Sequence, residues 1–262
     1  MADVALLHPG VLVLTDLVPI DGRVSWVPPD AVGFEPYNEF LLLGDERALL
    51  IDTGVALHGP ALVATLRQLL GPRALTVFAT RIELDTLGNL AAILAAFPRA
   101  ALATANPIPP VDLVHLPPGA RWLGGPVTHH RFGTDLASLG FPGVTVLDPV
   151  MRTLGTSWLH DAGSGALFTS DSFCGEMLPT IDTPVIRRDD FYRLPAPVTL
   201  RGHLQAKFQW LAEAEGDTLA RHWDSLFGQV APTAIAPLHG RVMAGSDLVV
   251  EMLARYRQAM LG

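Results

Sequence analysis

The run Thr80-Arg81-Ile82-Glu83-Leu84-Asp85-Thr86-Leu87-Gly88-Asn89 decides how this chain is read. It lies where a short apolar strand, Leu75 to Thr80, gives way to a helix expected from Gly88 to Phe97 and stopped by Pro98. Arg81, Glu83 and Asp85 stand at every second position. In an extended segment such spacing sends all three side chains to one side. Two carboxylates held together at a strand end repel, so they need a cation. Arg81 is one that the chain supplies itself, and a metal ion is the other.

Working outward, four more stretches fall in an ordered series. Tyr37-Asn38, then Phe40 to Ile51 with a turn at Gly44-Asp45, read as a hairpin leading into Asp52-Thr53-Gly54. Arg152-Thr153-Leu154-Gly155-Thr156 precedes a strand over Ser157 to His160. The turn Asp161 to Gly165 joins that strand to Ala166–Thr169, which runs into Ser170-Asp171. Near the end, Ala236-Pro237-Leu238-His239-Gly240 closes a strand over Thr233 to Ala236.

These stretches together resemble the metallo-β-lactamase superfamily. The first run is similar to its His-x-His-x-Asp-His signature, and more so to the His-x-Glu-x-Asp variant of flavodiiron and other oxygen-binding di-iron proteins. The resemblance implies an α/β fold, the αββα sandwich, spread over one domain across residues 1–262. It also implies two metal sites. The first would draw on positions 81, 83, 152 and 171, where this chain has Arg81, Glu83, Arg152 and Asp171. The second would draw on 85, 86, 171 and 239, where it has Asp85, Thr86, Asp171 and His239. Arginine keeps its proton and has no lone pair to give, so it cannot ligate. The first site therefore reads as closed, with Arg81 and Arg152 expected to pair with Glu83, Asp85 and Asp171 in place of a metal. An Arg–carboxylate fork can satisfy such oxygens in bidentate fashion.

The pocket expected from these residues is Arg81, Glu83, Asp85, Thr86, Arg152, Asp171 and His239. Asp85, Asp171 and His239 are three remaining candidate metal ligands, with Glu83 a lesser fourth. The expected cofactor content is none or one divalent metal of the iron, zinc or manganese kind, and a di-iron centre is not expected. Three readings follow. The leading one is a metal-free ligand-binding or accessory protein, with a small anion as its ligand. The second is a mononuclear hydrolase in which the metal activates water. The third is an oxygen or nitric oxide redox protein with a separate flavoprotein partner. The resemblance also implies a homodimer.

Composition bounds the rest. The chain has 262 residues, 49% hydrophobic and 17% charged, with a net charge of −8. No basic stripe is visible, which argues against nucleic acid as a partner. No stretch approaches the ~20 apolar residues that span a bilayer, and the N-terminus lacks the basic start of a signal peptide. With one cysteine, Cys174, there is no internal disulfide, and a cytoplasmic protein is expected. That cysteine reads as an inert small hydrophobe.

Further elements are expected as a strand over residues 5–14, helices over 60–70 and 247–260, and a strand over 100–104. A proline-rich loop covers 106–119, another strand covers 144–147, and a helix over 200–227 is whole or broken near Gly216. The stretch 174–198 has no clear period and reads as a lid. Trp158, Phe173, Phe191 and Tyr192, with Arg187 and Arg188, are candidates for a pocket mouth. His129 and His130 read as surface loop, since neighbours in an extended segment point opposite ways. His203, His222 and Trp210 read as packing or interface residues.

Overall fold

The computed structural model describes residues 3–22, 32–152, 155–188 and 194–262. Within them two seven-stranded sheets pack face to face. The first takes β1 (Asp3–His8), β2 (Val11–Pro19), β3 (Phe34–Leu43), β4 (Arg47–Ile51), β5 (Ala74–Ala79), β6 (Ala101–Thr104) and β7 (Thr128–His129) in that order. The second contains β8 (Asp135–Leu136), β9 (Phe141–Leu147), β10 (Trp158–Asp161), β11 (Ala166–Phe168), β12 (Ile186–Arg187), β13 (Ala234–Ala236) and β14 (Val242–Ala244). Its order across the sheet is β12-β14-β13-β11-β10-β9-β8.

Strand alternation builds the layers, because successive side chains leave a strand on opposite faces. Along β3 and β4, Phe40, Leu42, Leu49 and Ile51 enter the core between the sheets, while Leu41, Ala48 and Leu50 face the other way. Across that central core Phe40 meets Phe168 of β11, ring centroids 5.0 Å apart. The outward residues of the first sheet pack on α1 (Gly59–Leu69) and α3 (Leu90–Ala96), through Leu62, Leu66, Leu90, Ile93 and Leu94. In the second sheet Trp158, Leu167, Ile235 and Met243 face α4 (Pro197–Lys207), α5 (Gly216–Gln229) and α6 (Ser246–Leu261). On α6, Leu248, Met252 and Tyr256 recur every fourth residue, which lays them on one helical face. Strands buried on both faces read as continuous apolar runs, which is why the sequence shows little polar alternation. The arrangement is the αββα sandwich.

Several element boundaries differ from expectation. The first strand is two, β1 and β2, separated at Pro9-Gly10, where Gly10 has φ +80° and its carbonyl accepts from Leu43 N at 2.7 Å. The helix expected over 88–97 is α3, and an unexpected single turn, α2 (Leu84–Leu87), precedes it, the two parted at Asn89. The Asn89 side chain donates to the carbonyls of Thr53 (2.6 Å) and Val55 (2.8 Å), tying the turn after β4 to the start of α3. The helical stretch over 200–227, expected whole or broken near Gly216, is broken there: α5 begins at Gly216, and a 3-10 turn at Gln209–Ala212 separates it from α4.

The stretch read as a lid is stitched into the sandwich where it is described. Leu178 exchanges both backbone hydrogen bonds with Phe34, at 2.8 Å each, and its side chain is buried. Downstream, β12 pairs in parallel with β14. At these points the segment is bonded to both sheets. Phe191 and Tyr192 lie outside the described residues. Among the described residues no helix is long and apolar enough to cross a membrane.

Candidate functional site

The site forms at one edge of the sandwich, where β4, β5, β11 and β13 end. Each strand delivers its polar residue just past its last apolar one: Asp52 after β4, Arg81 after β5, Asp171 after β11 and His239 after β13. The chain turns sharply at two of these ends. Asp52 has φ +61° and Ser170 has φ +52°, left-handed conformations in residues that carry a Cβ. Each costs roughly 1–2 kcal/mol, and each aims a carboxylate. The Asp52 oxygens accept from Thr80 N at 2.8 Å and from the Thr80 hydroxyl at 2.7 Å, fixing the residue before Arg81. Ser170 turns the chain so that Asp171 faces Arg81.

Arg81 is the centre of the site. Its side chain is 3% exposed. Nη1 donates to Asp171 Oδ2 at 2.7 Å and also lies 3.3 Å from Glu83 Oε2. Nη2 pairs with Asp85, and Nε donates to the Thr86 hydroxyl at 3.0 Å. Burial works against the Arg81 charge, but Asp171, Asp85 and Glu83 outweigh it and hold its pKa above the usual range. Arg81, Glu83 and Asp85 therefore do meet, though not as an extended segment. The chain bends after Thr80 and Asp85 lies in α2, so Arg81 and Asp85 pair at helical spacing.

His239 is fully buried, with Nε2 2.8 Å from Asp85 Oδ2. Burial, outweighing the hydrogen bond to Asp85, pushes the imidazole down to about 4. The ring is thus neutral at pH 7 and donates through Nε2. Burial also pushes Asp85 up, but the His239 hydrogen bond and the Arg81 charge win and hold that carboxyl well below its usual range. Tyr37 meets the His239 ring edge to face, centroids 4.5 Å apart. Asn38 holds the loop beneath: Nδ2 donates to the carbonyls of Pro237 (2.9 Å) and Gly240 (2.8 Å). Gly240 itself is needed there. Its φ is +87°, and a Cβ would stand 3.0 Å from Glu176 O and 3.1 Å from Cys174 O.

Arg152 is a correction. It does not join Arg81 and the carboxylates. Its guanidinium pairs with Asp148, both side chains about two-fifths exposed at 43% and 42%, and sits 5.9 Å from the centroid of Phe132. The reason is local: Asp148 lies four residues upstream and offers a carboxylate in solvent. The expected pocket mouth is also redrawn. Trp158 and Phe173 are core residues of the second sheet's outer layer. Arg187 is buried in an ion pair with Glu176, and Arg188 donates to the carbonyls of Leu6 and Leu7, each at 3.0 Å. His129 is exposed and His130 buried beside Phe78, facing opposite ways. Cys174 is buried, donates to Asp171 O at 2.7 Å, and is pushed up by burial to about 12.

Two groups at the site carry no motif. Lys207 on α4 reaches within 3.5 Å of the Cys174 sulfur and its charge acts on Asp85, His239 and His203. Glu39 on β3 is fully buried, and neither carboxylate oxygen has a hydrogen-bond partner among the described residues. Burial, with Asp16 and Asp52 nearby, holds its carboxyl well above its ordinary value. A charged residue within an apolar strand was a readable signal for Glu39. Nothing in the sequence around Lys207 pointed to the site.

The donor set does not fit a metal ion as placed. The Asp85 and Asp171 oxygens that would converge on a cation converge on the Arg81 guanidinium, and the His239 nitrogen that would ligate is spent on Asp85. Among the described residues no group of three or more His, Cys, Asp or Glu side chains is arranged to hold a metal.

Compared with solved structures, the chain aligns over nearly its whole length with proteins of known fold. Rubredoxin oxygen:oxidoreductase from the anaerobe Desulfovibrio gigas matches at a TM-score of 0.71 and 18% identity, over 98% of this chain and 61% of that one. The metal-soaked flavodiiron core of Flv1 from Synechocystis matches at 0.73 and 16%, over 99% and 60%. A metallo-β-lactamase from Pontibacter korlensis matches at 0.61 and 15%, over 98% and 99%. The fold is the metallo-β-lactamase fold. The chain spans about three-fifths of the length of the first two of these proteins. No family model and no curated protein matches it.

Proposed function

We propose that this chain is a metallo-β-lactamase-fold protein that works without a metal in the site at its sheet edge and binds a small anionic ligand. The observation that supports this reading is the position of Arg81. Its guanidinium bridges Asp85 and Asp171, and its Nε engages Thr86, where the resemblance places a histidine. A buried charge set of this kind is held by mutual pairing; removing one member leaves the others costly to bury. The residues that would otherwise carry chemistry are also committed. His239 is neutral and bonded to Asp85, and Cys174 is buried and held in its thiol form. Arginine serves here as a structural counter-ion, and the ligand-binding role falls to cationic groups outside this cluster.

The second reading, a mononuclear hydrolase on Asp85, Asp171 and His239, draws on the proximity of His239 to Asp85 at 2.8 Å. Elemental analysis of protein purified without chelator or affinity tag separates the two readings, with Asp171→Ala and His239→Ala alongside. The metal-independent reading expects no stoichiometric metal. About one metal per chain, lost in both variants, overturns it and makes the hydrolase the reading to pursue.

A further inference from the structure

A large cleft among the described residues uses none of the residues paired with Arg81. It encloses about 650 Å³. Phe132, Val150, Arg152, Thr156, Trp210 and His222 line it, and its surface is mostly apolar. Val150 and Thr156 are buried and make a closed floor, whereas Phe132 and Trp210 are exposed at the rim. The walls come from two sources, the loops that follow β6, β7 and β9, and the helical side at Gln209–Ala212 and α5.

This cleft is built. The Trp210 indole N–H donates to Arg152 O at 3.0 Å, tying the helical wall to the loop wall. The Asn106 amide donates to Gly155 O at 3.2 Å. Gly155 has φ +69°, and a Cβ there would stand 1.9 Å from Asn106 Nδ2, so glycine is required for the loop to lie this close. A largely apolar concavity with one or two polar groups is the usual form of a small-molecule site.

Arg152 gives the cleft its chemistry. Its guanidinium is charged and lies against the Phe132 ring, and Asp148 engages only Nη1. That ion pair is exposed on both sides, and such pairs contribute little to stability. Exchange of Asp148 for a ligand carboxylate is therefore cheap. The planar guanidinium matches a carboxylate in fork geometry, and the half-buried His222 offers a further polar contact. Arg81 cannot play this part, since its donors are taken by Asp85, Asp171 and Thr86.

We infer that this cleft binds a small organic carboxylate with an aromatic or branched apolar body, the carboxylate on Arg152 and the body between Phe132, Val150 and Trp210. The inference deepens the proposed anion-binding role and rests on that reading of the protein. It names a cleft that shares no residue with the cluster around Arg81, Arg152 being paired with Asp148 instead, so the two can fail separately.

The test is calorimetric titration of the intact protein with 2-naphthoate, and with 2-naphthamide as the uncharged analogue. Saturable binding of naphthoate, with the amide at least about tenfold weaker, is expected. Arg152→Met, an exposed and foldable change, should weaken naphthoate at least about tenfold and leave the amide unchanged. Trp210→Ala should weaken both. No saturable binding, or naphthoate binding untouched by Arg152→Met, overturns the inference, the second by placing the ligand elsewhere. The same titration after chelator treatment separates the two proposals. Unchanged binding supports the cleft whatever the metal content proves to be, and binding abolished by chelator assigns the carboxylate to a metal and overturns it.

Discussion

Arg81 Nη1 and Asp171 Oδ2 lie 2.7 Å apart with 3% and 0% of their side chains exposed. The two residues are ninety positions apart in sequence, so this buried pair locks one sheet to the other at the edge where strand ends converge. Both charges have left water, and their mutual attraction, with Asp85 and Thr86, is what makes that tolerable.

Loss of Arg81 should therefore be severe. Arg81→Met leaves Asp171 and Asp85 buried without their counter-ion and should cost about 3–5 kcal/mol. Arg81→Lys keeps the charge but not the fork, and should fall between. The pair Arg81→Met with Asp171→Leu should recover much of the loss, since a buried ion pair replaced by packed apolar groups is often near neutral. Urea unfolding of the single and double variants gives the coupling directly. Simple additivity would mean the pair is incidental.

If the guanidinium fills the place of a cation, Arg81→His should open it. The new imidazole would join Asp85, Asp171 and His239 around a space freed of positive charge. Zinc titration by calorimetry should show about one ion per chain for Arg81→His and none of comparable affinity for the unaltered protein. Equal zinc binding by both would show that Arg81 is not what closes the site.

Much of this was legible in the sequence, and the exceptions have physical causes. The fold came through because apolar runs ending in Asp52, Asp171 and His239 carry both the strand and its polar terminus in one short motif. Arg81 pairs with Glu83, Asp85 and Asp171 as the spacing suggests, since these partners are either local or fixed by a strand end. Arg152 does not. A long flexible side chain on a loop can turn to either side, and an aspartate four residues away settled it. The single strand expected over residues 5–14 proved to be a hairpin because Pro9-Gly10 was too small a punctuation to register inside an apolar run. Lys207 reaches the site from a helix whose position depends on tertiary packing alone.

Glu39 makes stability depend on pH. Its folded-state pKa is raised well above the ordinary 4.5, so the folded protein holds a proton there that the unfolded chain releases. The contribution is intact below the unfolded value and is lost as pH rises through the folded one. The slope is at most about 1.4 kcal/mol per pH unit. Asp52, raised by burial to about 7, acts in the same direction between its unfolded value and that pH. Glu39→Gln should match the unaltered protein near pH 4 and become progressively more stable than it toward pH 8. Urea midpoints across that range check this, and parallel curves would show that Glu39 does not titrate as described.

Cys174 should be silent in the folded state. Its thiol is buried and pushed up to about 12, and only the thiolate reacts at an appreciable rate. Labelling with a disulfide reagent at pH 8 should be slow in native protein, fast in urea, and should follow the unfolding transition. Rapid labelling without denaturant would reveal an exposed thiolate and contradict this burial.

Asn38 positions His239 without touching it. Its amide donates to the carbonyls of Pro237 and Gly240, and its Oδ1 accepts from the Thr15 hydroxyl at 2.8 Å. Asn38→Ala strips two buried carbonyls of a donor and should cost about 3 kcal/mol. Asn38→Asp should be worse at pH 7, because it sets a carboxylate against those carbonyls. The gap between the two should narrow in acid, where the new carboxyl regains a proton to donate. The local signature is the Nε2–H resonance of His239, which the bond to Asp85 protects from exchange. In either variant that proton should exchange faster even where the fold survives. Unchanged exchange would mean that the loop is held by its backbone alone, through Leu238 N to Ser170 O at 2.7 Å and Gly240 N to Pro36 O at 2.9 Å.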